Sequence, residues 1–235
     1  MKNIKKIIAV LMCLSIVLLC GCSKDAPQTT TQPTQPAQEF DPNYGYQFPA
    51  TVFDDVTVDG ILLYTGVYVE DGSFEDCENV AAIKVTNNTL NDIQLLRIIV
   101  KTDVKEMLFE VSGFLAGETV TVLEKSKQTI GANEKIVEIS YRDRVYYEKN
   151  VSMHEDILQV QGNLATINIK NISDADITGD IYVYYKIKDP QGNYFGGITF
   201  RAKAEGGLKI DEIKQLPAGA FDPYNCEVLF VEYGS

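Results

Sequence analysis

The stretch DIYVYYKIKD, residues 180–189, has the alternating pattern of a half-buried β-strand. Successive side chains of a strand point to opposite faces of the sheet, so one alternate set faces a core and the other faces away from it. The set predicted to face the core is Ile181, Val183, Tyr185 and Ile187. The set predicted to face outward is Tyr182, Tyr184, Lys186 and Lys188.

The same kind of pattern fills the chain from Thr51 onward. Short runs rich in Val, Ile, Tyr and Thr are separated by turn residues, and turns are predicted at Asp59-Gly60, Asp71-Gly72 and Gly192-Asn193. No stretch sustains a helical apolar period, and the nearest one, residues 202–216, is interrupted by two glycines. The pattern therefore predicts an all-β fold.

The chain also contains an internal repeat. A shift of 84 residues places residues 51–93 on residues 135–177 without a gap, and the apolar positions coincide. Identical residues include the pairs Asn87/Asn171 and Asp92/Asp176. A shared pattern over this length indicates that two halves use one strand plan. We predict two β-domains, residues 51–133 and 134–235.

Turn and strand motifs in this repeat resemble a known family. The second half carries INIKNIS (167–173), YKIKD (185–189) and LPAG (216–219), and the first half carries LAGE (115–118). These motifs resemble the FxLYD-type module, although the first half lacks the signature and the second has Lys in place of its Tyr. The resemblance implies two tandem immunoglobulin-like β-sandwiches on a bacterial surface, and it brings no catalytic residues.

The N-terminus has the order of an export signal. Lys2, Lys5 and Lys6 precede an apolar run over residues 7–20, which ends in Leu-Cys-Gly-Cys at residues 19–22. This ending resembles a bacterial lipobox, which implies that residues 1–21 are a lipoprotein signal peptide and that Cys22 carries the lipid, including palmitate. The alternatives are an ordinary secretory signal and an uncut membrane anchor, for which the run is shorter than the roughly 20 residues needed.

Residues 22–50 follow as the lipidated Cys and a linker rich in Pro, Thr and Gln. Ser23 to Gln38 has no apolar residue larger than Ala, so it cannot bury a core and is predicted to be a disordered tether. We expect a lipid-anchored protein on the extracytoplasmic face of the cell membrane.

Charge narrows the choice of partners. The chain has 21 basic and 33 acidic residues, a formal net charge of −12. Because nucleic-acid binding depends on basic residues that neutralise phosphates, this balance excludes nucleic acid as an expected partner. The expected partners are the membrane, through the N-terminal lipid, and an envelope protein or a surface glycan.

Motifs for catalysis are lacking in the sequence. His154 is the one histidine, and no nucleophile, paired-His or phosphate-loop motif accompanies it. We predict no enzymatic activity, no cofactor and no metal, although the acidic run at residues 70–78 leaves calcium open as an alternative. Cys77 and Cys226 are expected to be separate thiols, with a disulfide as the alternative.

The outward side of residues 180–189 is the candidate ligand face. Tyr182 and Tyr184 would present apolar rings with polar tips, which suits stacking on sugars or capture of a peptide. The alternatives are that Tyr merely favours strands or that this side packs against the first domain. The expected function is a non-catalytic binding or structural module at the cell envelope. The alternative is an accessory subunit docking on an envelope transporter or wall enzyme.

Overall fold

A computed structural model describes residues 41–219 and 224–234 of the chain. The predicted signal peptide, Cys22 and most of the predicted linker lie outside the described residues. Thirteen strands and no helix are found within the described part, which confirms the all-β prediction. A search of the described residues for a helix long and apolar enough to cross a membrane found none.

The strands form two sandwiches in sequence order. The first contains β1 Ala50–Phe53, β2 Val56–Tyr68, β3 Glu75–Asn87, β4 Ile93–Thr102, β5 Glu106–Phe114, β6 Thr119–Leu123 and β7 Ile136–Tyr146. The second contains β8 Leu158–Asn163, β9 Thr166–Asn171, β10 Ile181–Lys188, β11 Tyr194–Ala204, β12 Ile213–Pro217 and β13 Asn225–Tyr233.

Both sandwiches have the same strand order. In the first, β2-β3-β6 faces β5-β4-β7 across one apolar core, and β1 adds to the edge of β2. In the second, β8-β9-β12 faces β11-β10-β13 across another core. Thus β4 and β10 occupy equivalent central positions, and the repeat in the sequence corresponds to a repeat of six strands.

The position of β7 differs from the repeat as aligned in the sequence. The gapless alignment places residues 135–152 on the segment of β2, and the expected boundary at residues 133/134 assigns β7 to the second domain. In the structure β7 pairs with β4 and is the counterpart of β13. Strand pairing therefore separates the sandwiches after Tyr146 and before Leu158.

The two sandwiches share one sheet. Strands β6 and β11 pair in parallel at Val120–Tyr194 and Thr121–Phe195, which creates a seven-stranded sheet in the order β1-β2-β3-β6-β11-β10-β13. A small apolar cluster also spans this junction; it includes Tyr68, Val69, Leu123, Ile187 and Phe195. The described residues, 41–219 and 224–234, belong to one compact unit as a result.

Close backbone approach at the junction requires a glycine. A Cβ atom added at Gly197 would lie 1.9 Å from the carbonyl oxygen of Glu110 on β5. On either side of this contact, Ser112 and Thr199 exchange hydrogen bonds between β5 and β11, at 2.8 Å from Thr199 N to Ser112 Oγ and 2.6 Å from Thr199 Oγ1 to Ser112 O.

The repeated asparagines close matching turns. Asn87 and Asn171 are fully buried, and each donates through Nδ2 to two or more backbone carbonyls of its own sandwich. Each side-chain oxygen accepts from the residue two positions on, Thr89 or Ser173. The two Asn-x-Ser/Thr sequences are thus turn structures, in which the side chain satisfies backbone groups of a tight turn.

One predicted turn is wrong, and the end of the predicted linker takes part in the first sandwich. Residues Asp59-Gly60 lie inside β2, so the predicted turn is wrong, and the structure has a register shift in the strand there. The last part of the predicted linker contributes to the first sandwich, because Tyr46 and Phe48 pack against its core. Asn43 holds this segment by accepting from Ile61 N at 2.7 Å.

Candidate functional site

Tyr182 and Tyr184 lie on the outer side of β10, as predicted, and both are partly exposed. Their strand neighbours are Lys203 and Arg201 on β11 and Glu232 and Phe230 on β13. We call the outer side chains of this patch the tyrosine face; its members are Tyr182, Tyr184, Arg201, Lys203 and Glu232.

Tyr184 is supported by an aromatic row. Its ring stacks on the buried Phe230 with centroids 4.4 Å apart, and Tyr147 meets the other side of Phe230 edge-on at 5.5 Å. The hydroxyl of Tyr184 donates to Oε2 of Glu232 at 2.8 Å. Burial and this hydrogen bond raise the pKa of Tyr184, so the hydroxyl stays neutral at ordinary pH.

Tyr182 is bordered by cations rather than by other rings. The guanidinium of Arg201 lies 4.9 Å from its ring centroid and the ammonium of Lys203 lies 5.9 Å away. Lys203 is held in place by Asp180, whose carboxylate is 2.8 Å from it. The tyrosine face therefore combines two phenol rings with fixed charges of both signs.

Lys186 departs from the sequence prediction that it faces outward. It is fully buried, whereas Lys188 two residues later is partly exposed. The pairing of β10 with β11 shifts register between Tyr185 and Ile187, so the alternation is interrupted at this point. The ammonium of Lys186 donates to the carbonyls of Gly197 at 2.9 Å and Ile198 at 3.4 Å. Strand alternation alone could not reveal this, because the register shift and the nearby charges of Glu70 and Glu118 depend on other segments of the chain.

Two glutamates of the first sandwich supply the countercharge. Glu70 accepts from Gly197 N at 2.9 Å and from Leu123 N at 2.8 Å, and Glu118 accepts from Leu115 N at 2.9 Å. Burial lowers the pKa of Lys186 to about 8 and raises that of Glu70 to about 6, while their mutual attraction opposes both shifts. We call Glu70, Glu118 and Lys186 the junction charge cluster.

This charge cluster has a structural explanation. It lies beside a cavity of about 150 Å³ at the junction, but its charged groups already hydrogen-bond to backbone groups. Perturbed pKa values also occur in structural ion networks, so they do not by themselves identify a reactive site. It links the two sandwiches through the hydrogen bond from Gly197 N of the second to Glu70 of the first.

A larger groove of about 600 Å³ adjoins the tyrosine face. One wall is the loop between β7 and β8, with Tyr147 and His154, and the other is β13, with Phe230 and Glu232. Gln94 of β4 also lines it. Glu232 thus belongs to both surfaces, and Phe230 is the ring on which Tyr184 stacks. The sequence did not indicate this groove, because its walls lie far apart along the chain.

The other candidate residues are dispersed. His154 packs edge-on against Tyr233 at 4.9 Å. Asp71 accepts from Ser73 N in the hairpin turn, while Glu70 points into the junction, so the acids of residues 70–78 do not converge. Among the described residues, no group of three His, Cys, Asp or Glu side chains could hold a metal ion. Cys77 and Cys226 are both buried free thiols.

Comparisons with known proteins add no assignment. The chain matched no protein-family model, no curated protein and no solved structure.

Proposed function

We propose that this chain is a lipoprotein anchored through Cys22 on the extracytoplasmic face of the cell membrane. In this proposal the β-sandwiches form a non-catalytic binding module, and the tyrosine face is where it binds its ligand. The observation that supports it is the pair of partly exposed rings on β10, two residues apart and framed by Arg201, Lys203 and Glu232.

The chemistry of this face suits a ligand with both apolar and polar surface. Phenol rings provide contact area at a low cost in side-chain entropy, and their hydroxyls remain able to hydrogen-bond. The support beneath Tyr184 limits its motion, since the ring is stacked on Phe230 and tied to Glu232. A pre-organised surface loses less conformational entropy when it binds.

The test of the binding site compares two tyrosine variants. The purified chain is screened on polysaccharide and peptide arrays, and Tyr182→Ala is compared with Tyr44→Ala, a control whose ring is 73% exposed elsewhere. We expect Tyr182→Ala to reduce binding at least tenfold and to shift the melting temperature little, because its ring is partly exposed and belongs to neither apolar core. Equal binding by both variants would remove the tyrosine face from the proposal.

The proposed anchor has a separate test. Cys22→Ala removes the thiol that would carry the lipid, so we expect a larger, uncut precursor without attached fatty acid. The measurement is labelling of cells with a fatty-acid analogue and the size of the product on a gel. A variant that is cut and labelled like the original chain would show that the anchor is not at Cys22.

A further inference from the structure

The groove beside the tyrosine face has the composition of a sugar-binding site. Its lining combines aromatic and aliphatic side chains, among them Tyr147, with polar or charged ones that include Gln94, His154, Glu148 and Lys149. We propose that this groove binds a neutral oligosaccharide, which continues from Tyr147 across Phe230 toward Tyr184. This inference rests on the proposed binding function and names its ligand class and path.

The polar groups that face the groove are free to bind. Among the described residues, the hydroxyl of Tyr147, the ring nitrogens of His154 and the side-chain amide of Gln94 make no hydrogen bond, and Gln94 is exposed. Burial of the Tyr147 ring raises its pKa to about 12, so its hydroxyl remains a donor and acceptor. Donors and acceptors placed around an aromatic ring match the alternating apolar faces and hydroxyl edges of a sugar.

The loop that carries Tyr147 is held in place before any ligand arrives. Buried Asp92 accepts from Val151 N at 2.9 Å, and its backbone carbonyl accepts from Tyr147 N at 3.1 Å. Asn150 ties the loop to Leu90 and Asp92 at 3.2 Å each. A loop fixed in this way presents its ring without paying the full entropy of ordering on binding.

Charge favours a neutral ligand over an anionic one. The ionised side chains lining the groove are the carboxylates of Glu148 and Glu232 and the ammonium of Lys149, and the whole chain carries a formal charge of −12. An acidic polymer would be repelled over most of its approach. A neutral oligosaccharide avoids this cost and uses the same hydrogen-bonding groups.

An extended peptide fits the groove less well than a sugar chain. A peptide could bind by adding a strand to the outer edge of β13, and it would then hydrogen-bond to the backbone groups of that edge. At the groove, Val231 N already donates to the carbonyl of Ser152 at 3.0 Å, so the β7–β8 loop occupies this edge. The remaining contacts in the groove are side chains, which a sugar can use as well as a peptide can.

The experiment titrates the purified chain with cellohexaose and N-acetylchitohexaose, and with polygalacturonate as the anionic comparison. Three variants are compared: Tyr147→Ala, Gln94→Ala, and the exposed control Tyr44→Ala. We expect a neutral hexasaccharide to bind, Tyr147→Ala to weaken it at least tenfold, Gln94→Ala to weaken it severalfold, and Tyr44→Ala to leave it unchanged. Gln94→Ala guards against misfolding, since this side chain packs into neither core.

Other results would overturn the inference in distinguishable ways. If the neutral sugars bind and Tyr182→Ala abolishes binding while both groove variants leave it unchanged, the groove is wrong and the tyrosine face stands. If neutral sugars do not bind but array peptides do, the ligand class is wrong and the binding function stands. If no sugar or peptide binds, the proposed function fails together with the inference.

Discussion

Lys186 shows how a single residue can belong to a surface pattern and yet be buried. The alternation of residues 180–189 places it on the same side as Tyr182 and Tyr184, but it is completely buried. A buried ammonium is costly unless it is paired and hydrogen-bonded. Two backbone carbonyls and two glutamates meet this requirement, so the charge contributes to the junction only while the two sandwiches are joined.

We expect Lys186→Met to destabilise the chain by about 2–4 kcal/mol, because removing one partner of a buried ion cluster leaves the carboxylates uncompensated. The matched control is Lys188→Met on the same side of β10, whose ion pair with Glu227 at 3.4 Å is partly exposed. That control should change stability by less than about 1 kcal/mol. Urea unfolding of both variants gives the comparison, and a Lys186→Met chain as stable as the original would contradict the role of the cluster.

The glutamate of the cluster predicts a pH dependence. Burial raises the pKa of Glu70 from 4.5 to about 6, so the folded state binds this proton before the unfolded state does. As the pH falls from 7 to 4.5, the original chain should therefore gain roughly 1–2 kcal/mol of unfolding free energy relative to Glu70→Gln. Urea unfolding at both pH values measures this difference.

The control for that experiment is Glu75→Gln, an exposed acid of the same hairpin. The difference in unfolding free energy between this variant and the original chain is measured at the same two pH values. The stability difference between Glu70→Gln and the original chain should change with pH, and that of Glu75→Gln should not. If both differences are equally independent of pH, the carboxylate of Glu70 is not held in a desolvated position.

At the scale of elements, the matching turns are the parts that sequence could predict best. Asn87 and Asn171 occupy equivalent positions because each closes the turn after an inner strand, β3 or β9. The equivalence extends further than the sequence indicated. Glu118 accepts from Leu115 N at 2.9 Å, and Glu212 accepts from Lys209 N at 2.8 Å. The two segments, 115–118 and 209–212, have only the Glu in common. The LPAG segment at residues 216–219, which was compared with LAGE in the sequence, is not part of this turn and lies at the end of β12.

Replacing a turn asparagine should be costly in either sandwich. Asn87→Ala and Asn171→Ala each remove two or more hydrogen bonds to backbone carbonyls and the side-chain oxygen that accepts within the turn, so we expect a loss of about 2–3 kcal/mol for each. The control is Asn88→Ala, the exposed neighbour, with a change within about 0.5 kcal/mol. Thermal unfolding compares the three variants. A small loss at Asn171 beside a large one at Asn87 would mean that the repeated turns are not energetically equivalent.

At the scale of the whole molecule, the sequence could not predict how the repeats are joined. The apolar alternation of β10 indicated its buried side, because alternation is a local property of a strand. The partner of β7 and the parallel contact of β6 with β11 depend on which distant segments meet, and local pattern does not contain that information. The groove and the buried Lys186 were missed for the same reason.

The junction predicts how the molecule unfolds. Each sandwich has its own apolar core, but Gly197 allows β11 to approach β5 so closely that a Cβ would meet the Glu110 carbonyl at 1.9 Å. We expect the original chain to unfold in one cooperative transition, because the shared sheet and the junction charge cluster couple the cores.

Gly197→Ala should separate that transition into two. The added methyl forces β5 and β11 apart and breaks the junction contacts, at a cost of about 1–3 kcal/mol, while both cores keep their own residues. Gly60→Ala is the control, since a Cβ there would lie 3.5 Å from Asn43 Oδ1, an ordinary contact distance. Scanning calorimetry distinguishes the outcomes. Two transitions in the original chain would show that the sandwiches are not coupled, and one transition in Gly197→Ala would show that the coupling does not depend on this close approach.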